Sequence, residues 1–124
     1  MFKPCLLVYV EESSLEVEIQ NVLADKKIEI YFATRGDQLS QLVKTYIPFL
    51  MVADLSGREP GWIFKHISII KHAKYDFPIC VIINNDEESI RSRAEKYGCD
   101  KIILKSEFIK KLPNVVERVL RKSL

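Results

Sequence analysis

The chain has 124 residues, 48% hydrophobic and 29% charged, with a net charge of +2. That is enough for one domain with its own core, and the composition is that of an ordinary globular protein. The charge is too small to argue for nucleic acid or an anionic membrane, and no apolar stretch approaches membrane-spanning length. The N-terminus, Met1-Phe2-Lys3-Pro4, shows no signal-peptide pattern, so the cytoplasm is the default expectation. Cys5, Cys80 and Cys99 are odd in number and widely separated, without metal-ligand spacing. Cys5 and Cys80 fall inside expected strands as small buried hydrophobes, whereas Cys99 follows Gly98 and is the one expected to be exposed.

Strand and helix signals alternate along the chain. The run Cys5 to Val10 reads as a first strand and ends in Glu11-Glu12. A helix follows, capped by Ser13 or Ser14, with Leu15, Ile19, Val22 and Leu23 on its buried stripe. Ile28 to Phe32 is the second strand. Asp37 is available to cap a second helix that carries Leu39, Leu42, Val43 and Tyr46. Phe49 to Ala53, entered through Pro48, is an unbroken apolar run and reads as a buried third strand leading into Asp54.

A loop, Leu55 to Gly61, precedes a third helix striped by Ile63, Ile67 and Ile70. Ile79 to Ile83 is the fourth strand. Asp86 can cap the fourth helix, which packs Ile90, Ala94 and Tyr97 and stops at Gly98. Ile102 to Leu104 is the fifth strand. A last helix is expected to start at Pro113, a favoured first-turn residue, and to bury Val115, Val116, Val119 and Leu120. Five β units alternating with five α units imply an α/β fold with a parallel sheet and helices on both faces. Without linker or composition break, residues 1–124 read as a single domain.

In such sheets ligands sit at the carboxyl ends of the strands. Glu11 and Glu12 end the first strand, Asp54 follows the third, and Lys105 follows the fifth. Clustered carboxylates of this kind suit Mg²⁺, which takes one or two carboxylates and keeps several waters. Asp54 beside it could act as a nucleophile toward a phosphoryl group, with Lys105 supplying a positive point for the phosphoryl oxygens. Two plainer accounts stand beside this one. Glu11 and Glu12 could simply solvate a loop, and Asp54 could cap a turn through its side chain.

The order and spacing of several segments resemble the response-regulator receiver domain of two-component signalling. They are Val10-Glu11-Glu12, Ala33 to Asp37, Pro48 to Leu55, Pro60-Gly61-Trp62, Pro78 to Ile82 and Tyr97 to Lys105. The resemblance implies a flavodoxin-like, three-layer doubly wound sheet of strand order 2-1-3-4-5. It implies Asp54 as phosphoacceptor and Lys105 as the phosphoryl-binding lysine. Glu11, Glu12, Asp54 and the Ser56 backbone carbonyl would be the magnesium ligands. It implies a phosphorelay signalling module and not an enzyme. Its partners would be a histidine kinase or phosphotransfer protein and a downstream effector protein, with no membrane and no direct nucleic acid. Homodimerisation through the fourth helix, fifth strand and fifth helix is common in the family, though nothing in the sequence demands it.

The chain also departs from that pattern. Glu12 stands where the family has the shorter Asp. The Thr or Ser ending the fourth strand is replaced by Ile83, which cannot donate a hydrogen bond. A register slipped by one would put Asn84 there. Ile102 replaces the aromatic of the fifth strand, and Ser106 replaces the proline after the lysine, so a cis bond there is not expected. Arg58 could reach over the site or merely be a solvated loop charge. Two readings follow: a receiver phosphorylated on Asp54 with an atypical switch, or a pseudo-receiver that binds proteins without phosphorylation. A flavodoxin-like cofactor protein fits less well, because Glu11-Glu12-Ser13-Ser14 would face a phosphate with two negative charges. Direct DNA binding fits least, for want of a recognition helix. His66 and His72 read as exposed helix residues. The basic C-terminal segment reads as helix-end and solvating charge. Trp62, Tyr75 and Phe77 read as core packing rather than a binding face.

Overall fold

The computed structural model describes residues 3–56, 61–85 and 87–123, apart from the side chains of Gly36, Gly61, Trp62 and Ser123. The readings of Arg58 and the loop around it, of Asp86 as a cap, and of the Trp62 ring lie outside what is described. The elements are β1 (Cys5–Tyr9), α1 (Ser13–Val22), β2 (Glu29–Ala33), a short 3-10 turn (Gly36–Gln38), α2 (Leu39–Tyr46) and β3 (Leu50–Asp54). After them come α3 (Gly61–His72), β4 (Ile79–Ile83), α4 (Glu88–Lys96), β5 (Lys101–Leu104) and α5 (Lys105–Ser123). All strand pairs are parallel and the sheet order is β2-β1-β3-β4-β5. The parallel sheet is the one expected from the alternation, and its flavodoxin-like strand order is the one the resemblance implied.

Strand alternation sends successive side chains to opposite faces, and each face meets its own helices. Leu7, Tyr9, Met51, Ala53, Val81 and Ile83 pack with Leu39 and Val43 of α2, Ile63, Phe64 and Ile67 of α3, and Ala94 of α4. Leu6, Val8, Leu50, Val52, Cys80 and Ile82 pack with Leu15 and Ile19 of α1 and with Phe108, Leu112 and Val116 of α5. β3 and β4 are buried at every residue, which is why their sequences are continuous apolar runs rather than alternating ones.

Several boundaries differ from expectation. β2 and β3 each start and end one residue later than expected, so Asp54 is the last residue of β3 itself. Neither Ser13 nor Ser14 caps α1; the cap position is Glu12, which makes no side-chain cap bond. Asp37 does not cap α2 either. It pairs with Arg35 at 3.2 Å, and the loop is held by Gln38 Oε1, which accepts the Thr34 and Arg35 N–H groups at 3.1 Å each. Cys99 is half-buried, as is Cys5, so Cys99 is not the one exposed thiol.

The largest difference is α5, which starts at Lys105 and carries Pro113 in its interior. An interior proline loses one helix hydrogen bond and costs about 3 kcal/mol. The segment before it nevertheless stays helical, because Phe108 and Leu112, one turn apart, are 0% and 1% exposed. Burying two such side chains contributes about 1.5–3 kcal/mol each, enough to offset the proline. A Glu107–Lys111 pair at 2.6 Å spans the same turn. The stop of α4 is as expected: Gly98 takes φ +94, its N–H bonds the Glu95 carbonyl, and the Cys99 N–H bonds that of Ala94.

Candidate functional site at the carboxyl edge of the sheet

The carboxyl ends of β1, β3 and β5 bring Glu11, Glu12, Asp54 and Lys105 to one edge of the sheet. Asp54 is 9% exposed and is the buried charged residue of the described core. Its Oδ1 accepts two hydrogen bonds from Ser56, from the backbone N–H at 2.9 Å and from the hydroxyl at 2.6 Å. That is the turn-capping role weighed for Asp54, and it fixes the carboxylate where β3 leaves the sheet. The hydroxyl contact was missed in the sequence, although Asp-x-Ser is a signal for it.

Glu12 and Lys105 meet across the edge. The Lys105 ammonium donates to Glu12 Oε1 at 2.7 Å, joining the end of β1 to the start of α5. The Glu12 bond holds the Lys105 ammonium above its ordinary pKa, with the charges of Asp54 and Glu12 adding to it. Lys105 is therefore within the field of Asp54 while bonded to Glu12. Glu11 is exposed, and its Oε1 accepts the Tyr9 hydroxyl at 2.6 Å. The extra methylene of Glu12, relative to an aspartate, lengthens its reach toward Lys105.

A magnesium ion needs several oxygen donors converging on one point. Among the described residues no group of three His, Cys, Asp or Glu side chains is close enough to hold a metal ion. Glu12 is engaged by Lys105 and Glu11 by Tyr9, and the Ser56 carbonyl has no such cluster to join.

The positions next to the site are aliphatic or exposed. Ile83 ends β4, is 1% exposed, and packs into the face covered by α2, α3 and α4. Ile102, half-buried in β5 and paired with Val81, packs against the same cluster. Asn84 is exposed beyond the strand, and Ser106 is exposed in the first turn of α5. No cis peptide bond occurs among the described residues. His66 is half-buried and His72 exposed, the latter with Nδ1 at 2.7 Å from the Ser68 carbonyl. Phe77 is buried, with Tyr75 tilted against it at 5.8 Å between ring centres.

Fold and edge together define a doubly wound α/β protein of the flavodoxin-like class, with an acid–lysine edge at the carboxyl ends of its strands. Comparison with solved structures narrows the fold further. A response regulator from Thermotoga maritima superposes with a TM-score of 0.83 at 17% identity, covering 97% of this chain and 99% of that one. The signal receiver domain of an HD domain-containing protein from Pseudomonas fluorescens gives 0.82 at 14% identity, over 98% and 97%. The chemotaxis protein CheY4 of Vibrio cholerae gives 0.80 at 14% identity, over 95% and 99%. The chain has the fold of these receiver domains. No family model matches the sequence, and no curated protein does. No described helix is long and apolar enough to cross a membrane.

Proposed function

We propose that the chain is a receiver-type signalling module that works as a pseudo-receiver, binding partner proteins without a phosphorylation-driven switch. The observation that carries this reading is the 2.7 Å bond between Lys105 and Glu12. A phosphoryl group on Asp54 needs a free ammonium for its oxygens and acids gathered around a cation. Here the ammonium and one of the acids neutralise each other. The two usual moving parts, a hydroxyl and an aromatic, are replaced by Ile83 and Ile102, so a charge added at Asp54 has no two-state element to bias. The module acts by binding rather than catalysis, on cytoplasmic signalling proteins.

The second reading keeps Asp54 as phosphoacceptor for a histidine kinase or phosphotransfer protein. Burial at the end of β3, within the field of Lys105, favours it. Incubation with magnesium and acetyl phosphate, followed by intact mass measurement, separates the two. The pseudo-receiver reading expects no phosphoryl mass gain. A gain that disappears in Asp54→Asn overturns it.

A further inference from the structure

A second feature lies at the opposite edge of the sheet, where β4 and β5 begin. A cavity of about 730 Å³ opens between the start of β5 and α5, with Pro78, Val115 and Val119 among its lining residues. Lys101, Arg118 and Lys122 stand around it. A second cavity of about 280 Å³ shares Lys101, Val115 and Arg118 with the first and extends the groove toward Lys111 and Asn114. Val115, Arg118, Val119 and Lys122 recur at three- and four-residue spacing, so α5 presents one stripe to the groove in which apolar and basic side chains alternate. Val115 is buried and Val119 half-buried, while Arg118 and Lys122 are exposed.

The charges are unbalanced. Lys101, Arg118 and Lys122 have no ion-pair partner among the described residues. Of the two acids on the wall, Asp100 is already committed: its Oδ2 accepts the Lys71 ammonium and the Ile79 N–H, both at 2.8 Å. Asp76 alone offsets three cations. An apolar floor under a cationic rim matches a peptide that carries both aliphatic and acidic side chains. It suits a nucleic acid less well, because phosphates need a continuous row of cations, and here the three cations are interleaved with the apolar Pro78, Val115 and Val119.

We propose that this groove is a docking site for an acidic, partly aliphatic peptide segment of a partner protein. Aliphatic side chains lie on Pro78, Val115 and Val119, and acidic ones pair with Lys101, Arg118 and Lys122. The site is at the far edge from Asp54 and does not depend on whether Asp54 accepts a phosphoryl group. The mass measurement above and the experiment below therefore fail independently.

The test pans a random dodecapeptide library against the whole chain, and measures the enriched peptides by titration against the wild type and the Arg118→Glu/Lys122→Glu variant. Both positions are exposed, and circular dichroism checks that the variant is folded; Lys101→Glu is a second, independent variant. The expected result is enrichment of peptides with several Asp or Glu residues among aliphatic ones, weakened at least about tenfold by either variant and by added salt. Amide shifts on binding should fall on Lys101, Val115, Arg118, Val119 and Lys122. Enriched peptides without acidic residues, binding to either variant as tight as to the wild type, or shifts centred elsewhere overturn the proposal. So does tighter binding of a single-stranded oligonucleotide than of any enriched peptide.

Discussion

At the residue scale, the carboxyl edge is governed by which partner each charge finds. Lys105 bonds Glu12, Glu11 accepts from Tyr9, and Asp54 caps its own turn through Ser56. The Lys105–Glu12 pair is partly exposed, so its loss in Lys105→Met should lower stability by only about 0.2–1 kcal/mol in urea unfolding. A larger loss would mean that the lysine does more than pair. The Lys105 ammonium is raised by its partner, so its contribution is present below its ordinary value of 10.5 and fades as pH rises through the higher folded value. Gly98 is a sharper case. A Cβ there would lie 3.1 Å from Lys71 Cγ on a backbone at φ +94, so Gly98→Ala should cost about 1–2 kcal/mol. The cysteines are quiet for a related reason: burial pushes the Cys80 and Cys99 thiols up to about 12. Little thiolate forms at neutral pH, so both should react slowly with a thiol reagent in the folded protein and quickly once it is unfolded.

At the element scale, α5 is where sequence and structure part. Pro113 carries a strong start signal, but Phe108 and Leu112 are buried one turn apart and hold the segment before it in the helix. Pro113→Ala should restore a backbone donor and relieve the ring's clash, raising stability by up to about 3 kcal/mol in urea unfolding. A loss would show that the helix needs the proline for its shape. The α5 helix is also tied to the turn after α1 by Lys26, whose ammonium donates to Glu117 at 2.6 Å. That bond holds the Glu117 carboxyl below its ordinary value. A lowered carboxyl pKa contributes stability above the unfolded value of 4.5, lost as pH falls through the lower folded value. The stability gap between wild type and Glu117→Gln should therefore be present at about pH 7 and shrink by about pH 3. Between α3 and α4, Phe64 is stacked on Tyr97 and lies under the Arg93 guanidinium, each 5.2 Å from its ring centre. Phe64→Ala empties a fully buried site and should cost about 3–5 kcal/mol.

At the scale of the whole molecule, the order of elements was legible because the helices carry apolar stripes at helical spacing and the central strands are short unbroken apolar runs. Strand ends were off by one where an apolar residue such as Phe49 continues the run outside the sheet. The membership of the edge was legible too, since strand ends in a parallel sheet must meet there. Its pairing was not: whether Lys105 turns to Glu12 or to a ligand depends on side-chain reach across three strands, which spacing along the chain does not encode. The same holds for the groove beside α5, where basic residues that read as solvating charge surround a cavity only once β5 and α5 come together. At the Asp54 edge the ammonium of Lys105 is held by Glu12, and the proposed binding surface lies at the far edge. Thermal unfolding with and without magnesium and beryllofluoride, a phosphoryl mimic, tests that claim most directly. A ligand held at about 100 times its dissociation constant would add about 2.7 kcal/mol and raise the midpoint by several degrees. The account predicts an unchanged midpoint; a rise of several degrees that vanishes in Asp54→Asn would contradict it.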